Sequence, residues 1–285
     1  MTLDEILTHA SRLASRYRLA PPARLGRGPA GAFQHAGGGQ SIDFHDFRQY
    51  QPGDDPRRVD WRAYARTGAM HLKLFREEVS PVVELFLDTS ASMGAYPGKA
   101  QAVLFIAAFL AGASRSVGGR PALCYGGERH IGAGVEAGLA RAKFAGPGVG
   151  DFRGARSGAE RPWRFLISDF LVPEGSAGMF PRLSAGALAF TPLLVLSRTE
   201  RDPEWIGGRR LVDAEAPENW IDMMPDAGMF TRYRLRLRRH EESLAADAMR
   251  CGGRLLALAA PDASAVPEDL DAIAKSLADA GVVTA

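Results

Sequence analysis

Apolar side chains recur at helical spacing near the start of the chain, where Leu3, Ile6, Leu7, Ala10, Leu13 and Ala14 form one stripe. Thr2 precedes Glu5 by the interval of a capping box, so a helix is predicted over residues 2–17. Residues 21–39, rich in proline and glycine, show neither a helical nor a strand period and read as a connector. From Val82 onward, short apolar runs without alternation are interleaved with longer helical patterns. Strands are predicted at 82–87 (VVELFL), 121–125, 129–132, 163–168 (WRFLIS), 191–196 and 254–259. Helices are predicted at 99–116, 176–187, 231–249 and 268–280, the last stopped by Gly281. Strands that are apolar on both faces and alternate with helices imply an α/β fold. Its sheet should be doubly wound and mostly parallel, with helices on both faces.

Residues 41–78 break this pattern with a dense mixture of aromatic and charged side chains. Pro52-Gly53-Asp54-Asp55-Pro56 carries a turn signal, and residues 71–75 alternate weakly, as an edge strand leading into the core would. The expected division is 1–80, holding the first helix, the connector and this β-rich or irregular block, and 81–285, the α/β domain. Within the block, Arg48, Arg57, Arg58, Arg62 and Arg66 alternate with Asp54, Asp55 and Asp60. Such residues suit an ion-pair network that pins the segment to the sheet, with Trp61 buried. They equally suit a partner-docking surface including Tyr50, since Arg, Trp and Tyr are favoured at interface hot spots.

Composition narrows the classes. With 285 residues, 46% hydrophobic and 24% charged, the chain can bury a sizeable core, which excludes disorder, collagen and coiled coil. A formal net charge of +2 gives no overall bias toward nucleic acid or membrane. Cys124 and Cys251 are too few for a disulfide framework and are expected free, as in a reducing compartment. Asp4 and Glu5 do not fit a secretory signal. The run AVLFIAAFLAGA at 102–113 is shorter than the roughly 20 residues a bilayer span needs and reads as a buried helix. A cytoplasmic protein without nucleic-acid partner or membrane span is expected.

Asp88-Thr89-Ser90-Ala91-Ser92 follows VVELFL directly. It sets one carboxylate and two hydroxyls at alternate positions, where ligands of doubly wound sheets bind. Ser168-Asp169 ends a second buried strand. In the usual order 3-2-1-4-5-6 these strands are neighbours, so Asp88 and Asp169 would face one crevice. Asp88, Ser90, Ser92 and Asp169 are hard oxygen ligands of low total charge, suited to a weakly held Mg²⁺. Alternatively, Ser90 and Ser92 cap the next helix. Among catalytic signatures, no GxSxG, HExxH or complete Walker A occurs, and no catalytic residue is assigned.

The loop Asp88 to Ser92, with Asp169 after a later strand, resembles the metal-ion-dependent adhesion site of von Willebrand factor A domains. Upstream, Phe47-Arg48-Gln49-Tyr50, Pro52-Gly53-Asp54-Asp55-Pro56-Arg57, Val59-Asp60-Trp61 and Ala65-Arg66 resemble the bacterial DUF58 family. The likeness continues through Phe75-Arg76-Glu77-Glu78 into LDTSASM. It implies a von Willebrand A-like fold. Through the family's frequent pairing with MoxR-type AAA+ ATPases, it also implies a non-enzymatic adaptor in chaperone-like maturation of a client protein. The reading from another class is a metal-free adaptor docking through residues 48–66, and the remaining one a metal-dependent hydrolase. Many members carry two N-terminal transmembrane helices; none is expected here, and contact with a membrane complex would be peripheral. Adhesion sites also take a threonine from the loop before the second acidic strand. Residues 140–161 contain none, and Ser157 is the hydroxyl available there.

Overall fold

The structure, a computed structural model, describes residues 1–20, 44–51, 54–75, 82–145, 161–171 and 175–285. In chain order the elements are α1 (Leu3–Ala14), β1 (Arg18–Leu19), β2 (Phe44–Gln49), a 3₁₀ turn (Pro56–Arg58), α2 (Trp61–Thr67) and β3 (His71–Phe75). Then come β4 (Val82–Leu87), a 3₁₀ turn (Ala91–Gly94), α3 (Pro97–Arg115), β5 (Arg120–Tyr125), β6 (Glu128–Ile131), α4 (Gly134–Arg141) and β7 (Trp163–Ser168). The chain continues with α5 (Ser176–Ser184), β8 (Ala189–Ser197), α6 (Arg198–Arg201), β9 (Arg209–Val212) and β10 (Trp220–Met223). It ends with α7 (Ala227–Arg250), β11 (Leu256–Ala260), α8 (Pro267–Asp279) and β12 (Val283–Thr284).

These elements form two compact units, Met1–Pro22 with Ser80–Ala285, and Ala23–Val79. The larger holds a six-stranded sheet ordered β11-β8-β7-β4-β5-β6. Numbering β4, β5, β6, β7, β8 and β11 as strands 1 to 6, this is the expected 3-2-1-4-5-6 arrangement. β6 is antiparallel to β5 and the other neighbours are parallel. The reversal is made by Gly126-Gly127, both at positive φ (54° and 76°). Two consecutive residues there demand glycine, because a Cβ would clash in the left-handed region.

Side chains leave the strands alternately toward two helical layers. Val83, Leu85, Leu87, Phe165 and Ile167 join the core shared with α1, α3 and α8. Phe86, Leu166, Leu194 and Leu196 join Phe180 and Leu244 of α5 and α7 on the other face. α3 is long and apolar enough to cross a membrane by length and composition, yet here it is the central core helix, with Phe105 and Phe109 stacked at 5.7 Å. α1 begins with the predicted capping box and packs on α3 so closely that a Cβ on Gly112 would lie 2.5 Å from the Ala14 Cβ. The sequence reading groups α1 with the segment that follows it; contacts group it with the sheet. Cys124 is buried and Cys251 half-buried, both free. Burial, then the charge of Glu84, pushes the Cys124 thiol up to about 11.

In the smaller unit, β3 is not an edge strand of the core. It pairs antiparallel with β2, His71 opposite Gln49, in a separate two-stranded sheet. The alternation was too weak to say which partner strand β3 would find.

Candidate functional site

β4 and β7 run side by side, and the Asp88 N–H extends their ladder to the Ile167 carbonyl at 3.0 Å. Asp88 and Asp169 thus emerge from the same ends of adjacent parallel strands, both buried. Asp88 accepts the Ser90 N–H on Oδ1 at 2.9 Å and the Ser168 hydroxyl on Oδ2 at 2.5 Å. Ser168 Oγ in turn accepts the Phe170 N–H at 2.9 Å, and Phe170 takes a left-handed φ of 53°. Ser90 Oγ and Ser92 Oγ lie 3.1 Å apart. Ser90 precedes the 3₁₀ turn without making a side-chain cap, and α3 has none either. The helix-capping role for the two serines is therefore not the one they play. Burial, and after it the charge of Asp169, raises the Asp88 carboxyl above its usual range; hydrogen bonds from Ser168 and Ser90 pull the other way.

A group missed in the sequence organises this end of the sheet. Lys99, in the first turn of α3, is wholly buried. Its Nζ donates to the Ser92 carbonyl (3.2 Å), Asp169 Oδ2 (2.9 Å) and Glu200 Oε1 (2.7 Å). Glu200 is itself held by a capping box at the start of α6, where its Oε2 accepts the Ser197 N–H at 2.7 Å. Burial works against the Lys99 charge, but Asp169 and Glu200 outweigh it and the ammonium is held above its ordinary range. The backbone positions it: a Cβ on Gly98 would lie 2.1 Å from the Ala263 carbonyl oxygen and 2.3 Å from that of Pro261. Glu215, between β9 and β10, reaches the same loop from outside, accepting the Ser92 and Ala91 N–H groups at 2.9 and 3.4 Å. The Ser197-x-x-Glu200 cap was readable in the sequence; its tie to Lys99, 101 residues away, was not.

In the smaller unit, Arg48 pairs with Asp54 at 2.8 Å, as expected. Asp54 also accepts the Gln51 N–H at 2.8 Å, and Arg48, then Gln51, holds its carboxyl below the usual range. Asp55 and Asp60 act as helix caps: Asp55 accepts the Arg57 N–H at 3.0 Å, and Asp60 those of Arg62 and Ala63 at 3.0 and 3.1 Å. Tyr50 is half-buried, its N–H bonded to the Met70 carbonyl. The Arg58 side chain, Pro52-Gly53, Glu77, Glu78 and Ser157 lie outside the described residues. Trp61 corrects an expectation. It is 55% exposed, edge-to-face with Tyr64 at 6.1 Å. Val59 and Asp60 are the buried pair at the entry to α2, so the helix starts outward at residue 61.

Residues 46–133 match the family model described as protein of unknown function DUF58. No curated protein and no solved structure matches the chain. The DUF58 match takes in α2, the Asp88 to Ser92 loop and Lys99 but stops before β7, so Asp169 and Glu200 lie beyond it.

The Mg²⁺ expected from the oxygen donors Asp88, Ser90, Ser92 and Asp169 does not fit the crevice as arranged. That ion wants near-octahedral oxygens at about 2.1 Å. The Ser90 N–H and the Ser168 hydroxyl bond the two oxygens of Asp88, the Leu171 N–H and Lys99 Nζ those of Asp169, so an ammonium already takes a cation's place beside Asp169. Among the described residues no cluster of three or more His, Cys, Asp or Glu is arranged to hold a metal.

In the DUF58 stretch, truncating an exposed side chain removes little apolar burial. Trp61→Ala is expected to change stability by only about 0.5 kcal/mol, read from urea unfolding. A loss of about 3 kcal/mol, typical of a buried aromatic, would mean that the ring is packed.

Proposed function

We propose that this chain is a non-enzymatic interaction protein that docks through α2 of its DUF58 stretch. The proposed partner is a MoxR-type AAA+ ATPase, and the shared task the chaperone-like maturation of a client protein. The observation that carries the reading is the exposure of Trp61, Arg62, Tyr64 and Arg66 on one short helix. That helix is fixed at its start by Asp60 and at its end by Gly68 in the left-handed conformation. Tryptophan, tyrosine and arginine dominate binding hot spots because each adds large contact area at modest entropic cost. The exposed arginines favour an acidic face on the ATPase.

The larger unit supports the same class. Its strand order and its Asp-Thr-Ser-Ala-Ser loop support the reading as a von Willebrand A-like interaction module. Its crevice acids hold backbone turns and a lysine, an arrangement suited to rigidity more than to turnover. The reading places the protein in the cytoplasm, at most peripheral to a membrane complex.

Calorimetric titration with the purified ATPase tests this on wild type, the Trp61→Ala/Arg66→Glu variant and Asp88→Ala. The α2 variant should bind about 30-fold more weakly, equivalent to a hot-spot loss of about 2 kcal/mol. Asp88→Ala, and EDTA in place of Mg²⁺, should leave affinity unchanged. The opposite pattern would move docking to the crevice and favour the metal-dependent form of the adaptor. Absence of binding by wild type would overturn the partner.

A further inference from the structure

We infer that the Lys99 ammonium is the resident cation of the crevice and that the crevice works without a divalent metal. A lysine ammonium has three N–H donors, and all three are used. Their acceptors follow three separate strands: Ser92 after β4, Asp169 after β7 and Glu200, in α6, after β8. A cation at the mouth of a doubly wound sheet would gather the same kind of set, one acidic or carbonyl oxygen from each strand end.

Nor is Lys99 a surface lysine folded inward. Its side chain is 0% exposed, and its backbone lies in the first turn of α3, where Gly98 is pressed against the carbonyls of Pro261 and Ala263. The backbone that carries the ammonium is therefore fixed in place. A divalent ion added beside the ammonium would meet a like charge in a largely buried site, where charges are poorly screened. At Asp169 it would compete directly with the bond that Lys99 Nζ already makes. Anchoring the positive charge covalently removes the need for metal supply and makes the site indifferent to chelators. The inference goes beyond the docking role, and a metal titration is blind to the partner, so either can fail alone.

The test is titration with Mn²⁺ followed by electron paramagnetic resonance, with thermal unfolding in Mn²⁺ and in EDTA. Wild type should show no saturable site that Asp88→Ala removes, and the same melting temperature in both media. A single bound Mn²⁺ abolished by Asp88→Ala would overturn the inference. Lys99→Ala opens a position lined by Asp169, Glu200 and the Ser92 carbonyl, oxygens of the kind Mn²⁺ accepts. It should bind Mn²⁺ at least about tenfold more tightly than wild type and melt higher in Mn²⁺ than in EDTA. Lys99→Gln, which keeps two N–H donors and loses the charge, serves the same purpose if the alanine variant does not fold. A folded variant indifferent to Mn²⁺ would equally overturn the assignment.

Discussion

Lys99→Met should lower the unfolding free energy by about 3–5 kcal/mol, the usual result of removing one partner from a buried ion pair. Methionine restores much of the aliphatic stem, so the loss is electrostatic more than a packing defect. What remains is Asp169, only 2% exposed at its side chain, and Glu200, 16% exposed, deprived of the charge between them. The pH dependence identifies the cause. Because folding raises the Lys99 pKa above its ordinary 10.5, its contribution is complete below that value and declines as pH rises through the folded one. The difference between wild type and variant should thus be flat across neutral pH and shrink only above about 10.5. Adding Asp169→Asn to the variant should recover part of the loss. A difference below about 1 kcal/mol, typical of exposed pairs, would mean that Lys99 does not clamp the strand ends.

Arg164→Met is the second large expected effect, about 3–4 kcal/mol, from a pair at the opposite end of the same strands. Glu84 in β4 is fully buried, and its Oε2 accepts from Arg164 Nε at 3.0 Å across the ladder from β7. Arg129 of β6, 30% exposed, reaches Oε1 at 3.3 Å. Arg164 also donates to the carbonyls of Leu183, in the last turn of α5, and Ala185, just after it, and lies 5.8 Å over the Phe86 ring. Losing Arg164 removes the buried partner of Glu84 and both carbonyl contacts at once. Glu84→Leu/Arg164→Met should be much milder than the single change, since apolar replacement of a whole buried pair is often neutral. Urea unfolding of the four proteins in the cycle gives the coupling directly. Additive losses would mean that the two side chains act independently.

The central strands were legible because β4, β7 and β8 are apolar on both faces, and such runs cannot be solvated anywhere but inside a covered sheet. Their order followed from the usual 3-2-1-4-5-6 arrangement of doubly wound sheets. The three small antiparallel pairings among the described residues were not legible. β9 and β10 expose nearly every side chain, and their pairing is marked by Arg210, which bonds Asp222 at 2.7 Å and stacks on Trp220 at 3.9 Å. Such partners carry no periodicity. α4 was hidden by glycine: Gly138 has poor helix propensity, yet a Cβ there would lie 2.6 Å from the His130 ring. Asp88 and Asp169 could be placed because strand ends are predictable. Lys99 could not, since a lysine opening an apolar helix ordinarily faces water, and only Asp169 and Glu200 make its burial tolerable. Trp61 was misjudged for the converse reason: size suggested burial, while the Asp60 cap decided direction.

The pairing of β1 with β12, Leu19 opposite Val283, has a consequence for synthesis. The first helix presents its apolar stripe to α3, whose Gly112 emerges from the ribosome only after residues 23–79 have been made. The strand that follows that helix waits until Val283 has been made before its partner exists. Vectorial folding from the N-terminus is therefore unavailable to the sheet-bearing unit. Its opening stretch must stay uncommitted, its stripe unburied, while an inserted unit is translated within it. Contacts this distant in sequence slow folding and prolong exposure of sticky surface.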